Sequence, residues 1–220
     1  MIAHSSAFTQ SYSQPESYHF CQDSVIAPRL IADDLASSLN GSRGLRALDL
    51  CAGCGVMGLE LLHALGDVSR SIATFDFLEI QREFEPHFHA NAQCTTDRNP
   101  KSEITKRWIN QDYNRLSRVE FAESYDLIIA NPPYFSKGEG TLGPSDLSNR
   151  ARFFLDSDLQ TLFRAVRNAL APKGLAYLLV KSGKEHGRDA FTSARLEFFN
   201  FRVERLADVR GTDLLKIARA

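Results

Sequence analysis

The sequence predicts an α/β protein built on a largely parallel sheet with helices on both faces. Three observations predict it. Short runs rich in Leu, Ile and Ala alternate with helical stretches through most of the 220 residues. One of those stretches, near residue 160, carries a clear apolar stripe at helical spacing. A glycine-bearing turn, Cys51-Ala52-Gly53-Cys54-Gly55, joins the first apolar run to the helical pattern behind it. Ligands of such sheets bind beyond the carboxyl ends of the strands. The segments after Leu50, Phe77, Gln111 and Ala130 are therefore where function is expected.

The elements follow in order. Residues 1–22 are polar, contain Pro15 and show no period, so they read as an arm or loop. Asp23 and Ser24 are cap residues for a helix running to about Leu39, with Pro28 delaying or kinking its start and Asn40-Gly41 stopping it. Leu45–Leu50 is the first strand, Val56–Leu65 a helix closed by Gly66, and Ile72–Phe77 the second strand. A second helix is expected from Glu79 to Gln93, and a polar loop from Asp97 to Lys101. Lys106–Gln111 and Tyr125–Ala130 are the third and fourth strands. Asp156–Leu170 is an amphipathic helix with Leu159, Leu162, Phe163, Val166 and Leu170 on one face. Gly174–Val180 is a fifth strand; Phe201–Leu206 and Leu214–Ala218 form a hairpin about Arg210-Gly211-Thr212. No repeat or low-complexity tract interrupts the chain.

Composition bounds the function. Hydrophobic residues make up 43% and charged residues 24%, as in an ordinary globular protein. No apolar run reaches the roughly 18 residues needed to span a bilayer, and the start lacks the basic-then-apolar pattern of a signal peptide. Four cysteines (21, 51, 54 and 94) are too few for a disulfide scaffold, so a reducing, cytoplasmic setting is expected. Residues 1–130 carry 11 basic and 17 acidic side chains, whereas residues 131–220 carry 15 and 10. A basic C-terminal half suits phosphate contacts, although scattered solvated charges account for the numbers equally well.

The glycine turn offers a backbone that can approach a ligand closely, because Gly53 and Gly55 carry no Cβ. Asp49 at the strand end can order the loop or face a cationic ligand. Two other readings compete. Cys51 and Cys54 have C-x-x-C spacing at a strand–helix junction, as in thioredoxin-like redox proteins. A zinc site would need further ligands, and Cys94, His87 and His89 supply no second closely spaced cysteine pair. Asp49 and the glycines fit a cofactor loop better. A carboxylate after the second strand would accept the hydroxyls of a ribose. Glu79 is chosen over Asp76 for that task, with helix capping as the plain alternative. Asp112 ends the third strand, where such folds usually put a side chain that accepts from a cofactor's adenine amine; an aspartate in a plain turn is the alternative.

Asn131-Pro132-Pro133-Tyr134 carries the most chemistry. A strand delivers Asn131 to the ligand edge, and two prolines stiffen the backbone and remove two N–H donors. Acceptors remain: the Asn131 side-chain oxygen and the Pro132 carbonyl. Tyr134 adds a flat face. Such a site suits an amine whose lone pair is delocalised, such as adenine N6 or a glutamine amide. Two acceptors can hold its hydrogens and favour the tetrahedral geometry that frees the lone pair. Positioning and electrostatics supply the rate, with no metal required.

Taken together these residues resemble the class I S-adenosylmethionine-dependent methyltransferases. They are most similar to the small-domain N6-adenine group that modifies tRNA beside the anticodon. Gln14-Pro15, Tyr18-His19-Phe20, Asp23-Ser24-Val25-Ile26-Ala27, the glycine turn, Glu79-Ile80-Gln81, Asn131 to Phe135 and Gly138 follow in that group's order. Cys51 stands where a first glycine is usual, and Phe153-Phe154 follow Arg152 where an acidic residue is frequent. The resemblance implies a Rossmann-like seven-stranded sheet ending in an antiparallel strand. Residues 1–40 would be an arm and helix packing on a methyltransferase domain of residues 41–220. It implies S-adenosylmethionine held by Asp49, Cys51, Ala52, Gly53, Gly55, Glu79, Asp112 and Asn131. Catalysis would fall to Asn131, Pro132, Pro133 and Tyr134. An RNA partner, in this group a tRNA, would be met by Phe135, Lys137, Arg150 and Arg152, the two arginines in a loop before the next helix. No membrane or metal is expected to take part, and the oligomeric state stays open.

Rival functions share parts of this pattern. Protein-glutamine N5-methyltransferases carry the same Asn-Pro-Pro-Tyr but usually a helical N-terminal domain, and only 44 residues precede the first strand here. DNA adenine methyltransferases normally add a target-recognition domain, and 86 residues follow Tyr134. A non-catalytic RNA- or partner-binding subunit with the same fold is the alternative of another class.

Overall fold

A computed structural model describes residues 12–36, 38–39, 42–98, 103–181 and 189–219. The expected stop at Asn40-Gly41, most of the expected Asp97–Lys101 loop and the first eleven residues lie outside these.

A seven-stranded sheet forms the centre. Its strands are β1 (Leu45–Leu50), β2 (Ile72–Glu79), β3 (Thr105–Asn110), β4 (Tyr125–Ala130), β7 (Leu170–Val180), β8 (Phe201–Val209) and β9 (Thr212–Arg219). They lie in the order β3-β2-β1-β4-β7-β9-β8. All pairs are parallel except those of β9, which runs antiparallel to both β7 and β8. Two further short strands, β5 (Phe135–Ser136) and β6 (Phe153–Phe154), pair parallel in a separate ribbon.

The α-helices among the described residues are α1 (Asp23–Leu35), α2 (Val56–Leu65), α3 (Glu85–Arg98), α4 (Asp146–Arg152), which packs on β6, α5 (Leu159–Ala169) and α6 (Ala190–Glu197). The period-two alternation of the strands sorts the core into two layers. Ala47, Phe75, Phe77, Ile129 and Leu179 pack under α1, α2 and α3. Leu48, Leu50, Ile128, Leu178 and Leu215 pack under α5 and α6. Helix α2 is buried along all its length save His63, because α1 and α3 flank it.

Several boundaries differ from the sequence expectation. Asp23 and Ser24 do not cap α1; Gln22 holds that position with no side-chain bond, and the helix ends at Leu35. Pro28 sits in the second turn without breaking it, leaving the Ser24 carbonyl without its helical donor. Glu79 closes β2 rather than opening a helix, since Gln81 is extended and α3 starts only at Glu85. Arg150 and Arg152 lie in the last turn of α4, not in a loop. That helix is short and polar, with no apolar stripe to announce it, and its cap is Ser145, which accepts from Ser148 N–H. Asp158 caps α5 in the same way through Thr161 N–H (2.7 Å).

The turn between β8 and β9 has Arg210 and Gly211 at φ 56° and 82°, the left-handed pair that a two-residue hairpin requires. The sheet order reverses between β1 and β4, and the loops after these strands diverge there. In the first of them Cys51, Gly53 and Gly55 all have positive φ (61°, 52° and 82°). A Cβ on Gly55 would lie 2.7 Å from Cδ2 of Phe88, a buried ring wedged against Phe77 and Trp108.

Gly55→Ala should therefore cost about 2–4 kcal/mol, combining left-handed strain with overpacking. Gly44→Ala, at φ 74° with open space about its Cβ, should cost only about 1 kcal/mol. Urea titration of the two variants checks this; equal midpoints would contradict the close packing of the loop on Phe88.

Candidate active site

A cavity opens at the carboxyl ends of β1 to β4. Cys51 and Gly53 form its floor, Glu79 to Gln81 and Phe84 one wall, Gln111 to Tyr113 another. Asn131 and Pro133 enter from the end of β4, and Arg150 with Phe153 to Ser157 closes the far side. Of the residues predicted from sequence, Cys51, Gly53, Glu79, Asp112, Asn131, Pro133 and Arg150 thus meet in one place.

Two buried carboxylates shape the glycine turn. Glu79 Oε2 accepts from Gly53 N–H (3.0 Å) and its Oε1 from Gln81 N–H (2.9 Å). Burial raises the Glu79 pKa, and these N–H groups oppose the rise. Asp49 lies beneath the loop, 1% exposed, and does not line the cavity. Its Oδ2 accepts from Gly58 N–H at 2.8 Å, while Oδ1 is buried without a partner. Burial pushes the Asp49 carboxyl up to about 8, against the Gly58 bond and with the help of the Glu79 charge. Ala52 and Gly55 also lie behind the cavity wall. Ala52 N–H donates to the Leu78 carbonyl (3.1 Å), and Gly55 N–H donates to the Ala52 carbonyl (2.8 Å).

Asp76 has other work. It takes both Arg107 bonds (2.7 and 2.8 Å) and the Tyr125 hydroxyl (2.9 Å), away from the cavity. Asp112 lines the cavity and at the same time caps a 3-10 turn, accepting from Asn114 N–H and Nδ2 (2.8 and 3.0 Å).

The Asn-Pro-Pro-Tyr segment is gripped by the first turn of α1. Asn131 Nδ2 donates to Ser24 Oγ (2.8 Å) and to Cys21 Sγ (3.4 Å). The Tyr134 hydroxyl donates to Asp23 Oδ2 (2.9 Å), and Tyr134 N–H to the Arg152 carbonyl (3.1 Å). Burial, with Cys21 and Asp23 nearby, pushes the Tyr134 pKa up. Tyr134 packs against the core beside the cavity instead of lining it, and Pro132 is buried. Phe135 pairs with Phe153 across the β5–β6 ribbon, with ring centroids 5.6 Å apart and Lys181 Nζ 5.5 Å from the Phe135 ring. Lys137 is exposed beyond this ribbon. Arg150 lies 3.6 Å from Asp156, and Arg152 leans over Phe153.

Sequence reasoning missed several wall residues. Tyr18 comes from the arm, and its hydroxyl is 3.8 Å from the position of a Cβ on Gly53. Its ring meets Phe84 edge-on at 4.9 Å, and burial raises its pKa. The arm is pinned by Ser13 to Asn91 (2.7 and 2.9 Å) and by Tyr12 to Glu60 (3.0 Å), and Asn91 also holds the Cys54 carbonyl (3.0 Å). Tyr18 belongs to the Tyr18-His19-Phe20 stretch that carries the resemblance, and Tyr113 adjoins Asp112, so both had a signal; Phe84 had none. The four cysteines are free thiols; Cys54 packs with Val56 and Phe84 rather than facing Cys51. Among the described residues no group of three His, Cys, Asp or Glu side chains could hold a metal ion.

Comparison with known proteins places the fold. The model of a family described as conserved hypothetical protein 95 matches residues 34–142, just under half the chain. Among curated proteins none matches. Among solved structures, a candidate methyltransferase, yhhF, from Escherichia coli is 17% identical, with TM-score 0.58 over 94% of this chain and 90% of that one. The T. thermophilus 16S rRNA N2 G1207 methyltransferase RsmC, solved with AdoMet and guanosine, is 18% identical. Its TM-score is 0.58 over 93% of this chain and 45% of that one. A candidate RNA methyltransferase from Pyrococcus horikoshii is 17% identical, with TM-score 0.55 over 96% and 92%. The chain has the Rossmann-like fold of these methyltransferases, with its antiparallel strand at the C-terminal side of the sheet.

The Asp49 environment has a pH signature. An unfolded Asp titrates near 4, the folded carboxyl at about 8. Between those values only the unfolded chain releases the proton, so this group's contribution falls as pH rises from about 4 to about 8. Asp49→Asn keeps an oxygen for Gly58 N–H and does not titrate. The variant should gain stability relative to the parent across that window. Parallel urea midpoints from pH 4 to 8 would show that Asp49 stays ionised in the folded chain.

Proposed function

We propose that this chain is an S-adenosylmethionine-dependent N-methyltransferase that modifies N6 of an adenine in RNA, specifically a tRNA. The observation that carries the reading is the meeting of the glycine turn, Glu79, Asp112 and Asn131 around one cavity. The cavity fits the donor: carboxylates at Glu79 and Asp112 suit ribose hydroxyls and an adenine amine, and Gly53 leaves room a side chain would fill. Asp49 beneath the loop holds the first turn of α2 through Gly58 N–H and so fixes the turn on which the ligand rests. S-adenosylmethionine supplies an electrophilic methyl on a sulfonium.

The chain's own residues prepare the acceptor. Asn131 spends its amide nitrogen on Ser24 and Cys21, which leaves Oδ1 to accept from the reacting amine. The Pro132 carbonyl is the second acceptor, since Pro133 offers no N–H beside it. A base turned out of its stack would reach this edge past Phe135 and Phe153. Lys137, Arg150 and Arg152 flank that route and suit phosphates. The RNA named in the descriptions of two structural neighbours supports the substrate class. A guanine N2 amine is the second reading, favoured by the target of the T. thermophilus neighbour. Both amines are conjugated and need the same two acceptors.

Labelled methyl donor offered with total tRNA, ribosomal RNA, duplex DNA and a release-factor-like protein should mark RNA alone, and nucleoside mass spectrometry should return N6-methyladenosine. Label in protein or DNA, or in N2-methylguanosine, would replace the adenine reading. Asn131→Ala should lower single-turnover rate about 10²–10³-fold with little change in donor affinity. The double change Arg150→Ala and Arg152→Ala should flatten the dependence of log affinity on log salt by roughly 0.7 per lost contact. An unchanged slope would remove these arginines from the RNA path.

A further inference from the structure

Four residues of the α1 start and its approach are tied to the distant Asn-Pro-Pro-Tyr segment and to the C-terminal hairpin. Ser24 Oγ accepts from Asn131 Nδ2 (2.8 Å), and Cys21 Sγ stands 3.4 Å from the same nitrogen. Ser24 Oγ also lies 3.8 Å from Cys21 Sγ, which can take the hydroxyl proton and leave the oxygen lone pairs to Asn131. Asp23 Oδ2 accepts from the hydroxyls of Tyr134 (2.9 Å) and Thr212 (3.5 Å). Arg210 sits 3.8 Å from Asp23 Oδ1 and donates to Gln22 Oε1 at 2.7 Å. Asp23 and Ser24 are both 7% exposed, and neither lines the cavity.

An amide has two ends of similar shape and opposite polarity. In an Asn that must accept from an amine, the wrong end would set an N–H donor against an N–H donor. Something must break that near-symmetry before the acceptor arrives. Two consecutive prolines offer no backbone N–H with which to do it. We propose that Ser24 is a positioning residue for methyl transfer: it fixes the Asn131 amide with Oδ1 toward the acceptor amine. Asp23 fixes Tyr134 from the same turn. The role belongs to the proposed N-methyltransferase reading, and it makes a structural claim that can be read without turnover.

Two measurements test it. In ¹⁵N-labelled protein the Asn131 Nδ2 protons, assigned by their loss in Asn131→Asp, should show cross-relaxation to the β-protons of Ser24 and Cys21. That contact should vanish or weaken in Ser24→Ala. In single-turnover assays with total tRNA and labelled S-adenosylmethionine, Ser24→Ala should lose about tenfold in rate. Donor affinity and the KM for tRNA should stay within about twofold, and Ser24→Thr, which keeps the hydroxyl, should recover most of the rate. Absence of the Nδ2 contacts in the parent protein, equal losses in the Ala and Thr variants, or a parallel loss of donor affinity would overturn the proposal. If the parent labels no RNA while the Nδ2 contacts are present, the RNA reading fails and the amide orientation stands.

Discussion

Two buried carboxylates hold the ligand edge of the molecule through backbone N–H groups. Asp49 binds the first turn of α2, and Glu79 binds Gly53 across the gap between the first two strands. The loop between them must turn out of a strand and into a helix within five residues. It does so with three left-handed residues, one of them Cys51. A non-glycine residue there carries strain of about 1–2 kcal/mol, which the surrounding bonds offset. The cavity floor, the position of α2 and the seat of Phe88 all follow from that path.

The sheet was legible because its signals are local. Leu45–Leu50, Val56–Leu65 and Tyr125–Ala130 fall at the expected bounds, since each is a mainly apolar run that ends at a glycine-bearing turn, at Gly66 or at Asn131-Pro132-Pro133. The hairpin at Arg210-Gly211 was legible from turn chemistry alone. Helix α4 and the β5–β6 ribbon were not, because a seven-residue helix with five polar residues and two dipeptides make no pattern above background. The Phe153-Phe154 departure noted in the sequence turns out to be a cavity wall, a role that only pairing with Phe135 and Ser136 creates.

The site residues divide in the same way. Gly53, Glu79, Asp112 and Asn131 could be placed from strand ends, because the topology fixes where those ends meet. Asp23 and Ser24 could not. Locally they satisfy every requirement of a helix cap, yet their side chains serve partners more than 100 residues away. Position next to a helix start is a local cue; the bonds to Asn131 and Tyr134 are tertiary, and no spacing in the sequence encodes them.

Strand β9 lies between β7 and β8, so it is inserted between two strands that precede it in the chain. The turn ahead of it carries Arg210, which reaches back to Gln22 across 188 residues. Lys216 on the same strand meets Asp34, at the other end of α1 (2.6 Å). Both ends of α1 are thus tied to the β8–β9 hairpin, which is made long after the helix itself. A nascent chain halted before residue 210 would hold the glycine turn and the Asn-Pro-Pro-Tyr segment, but with α1 lacking its C-terminal tethers.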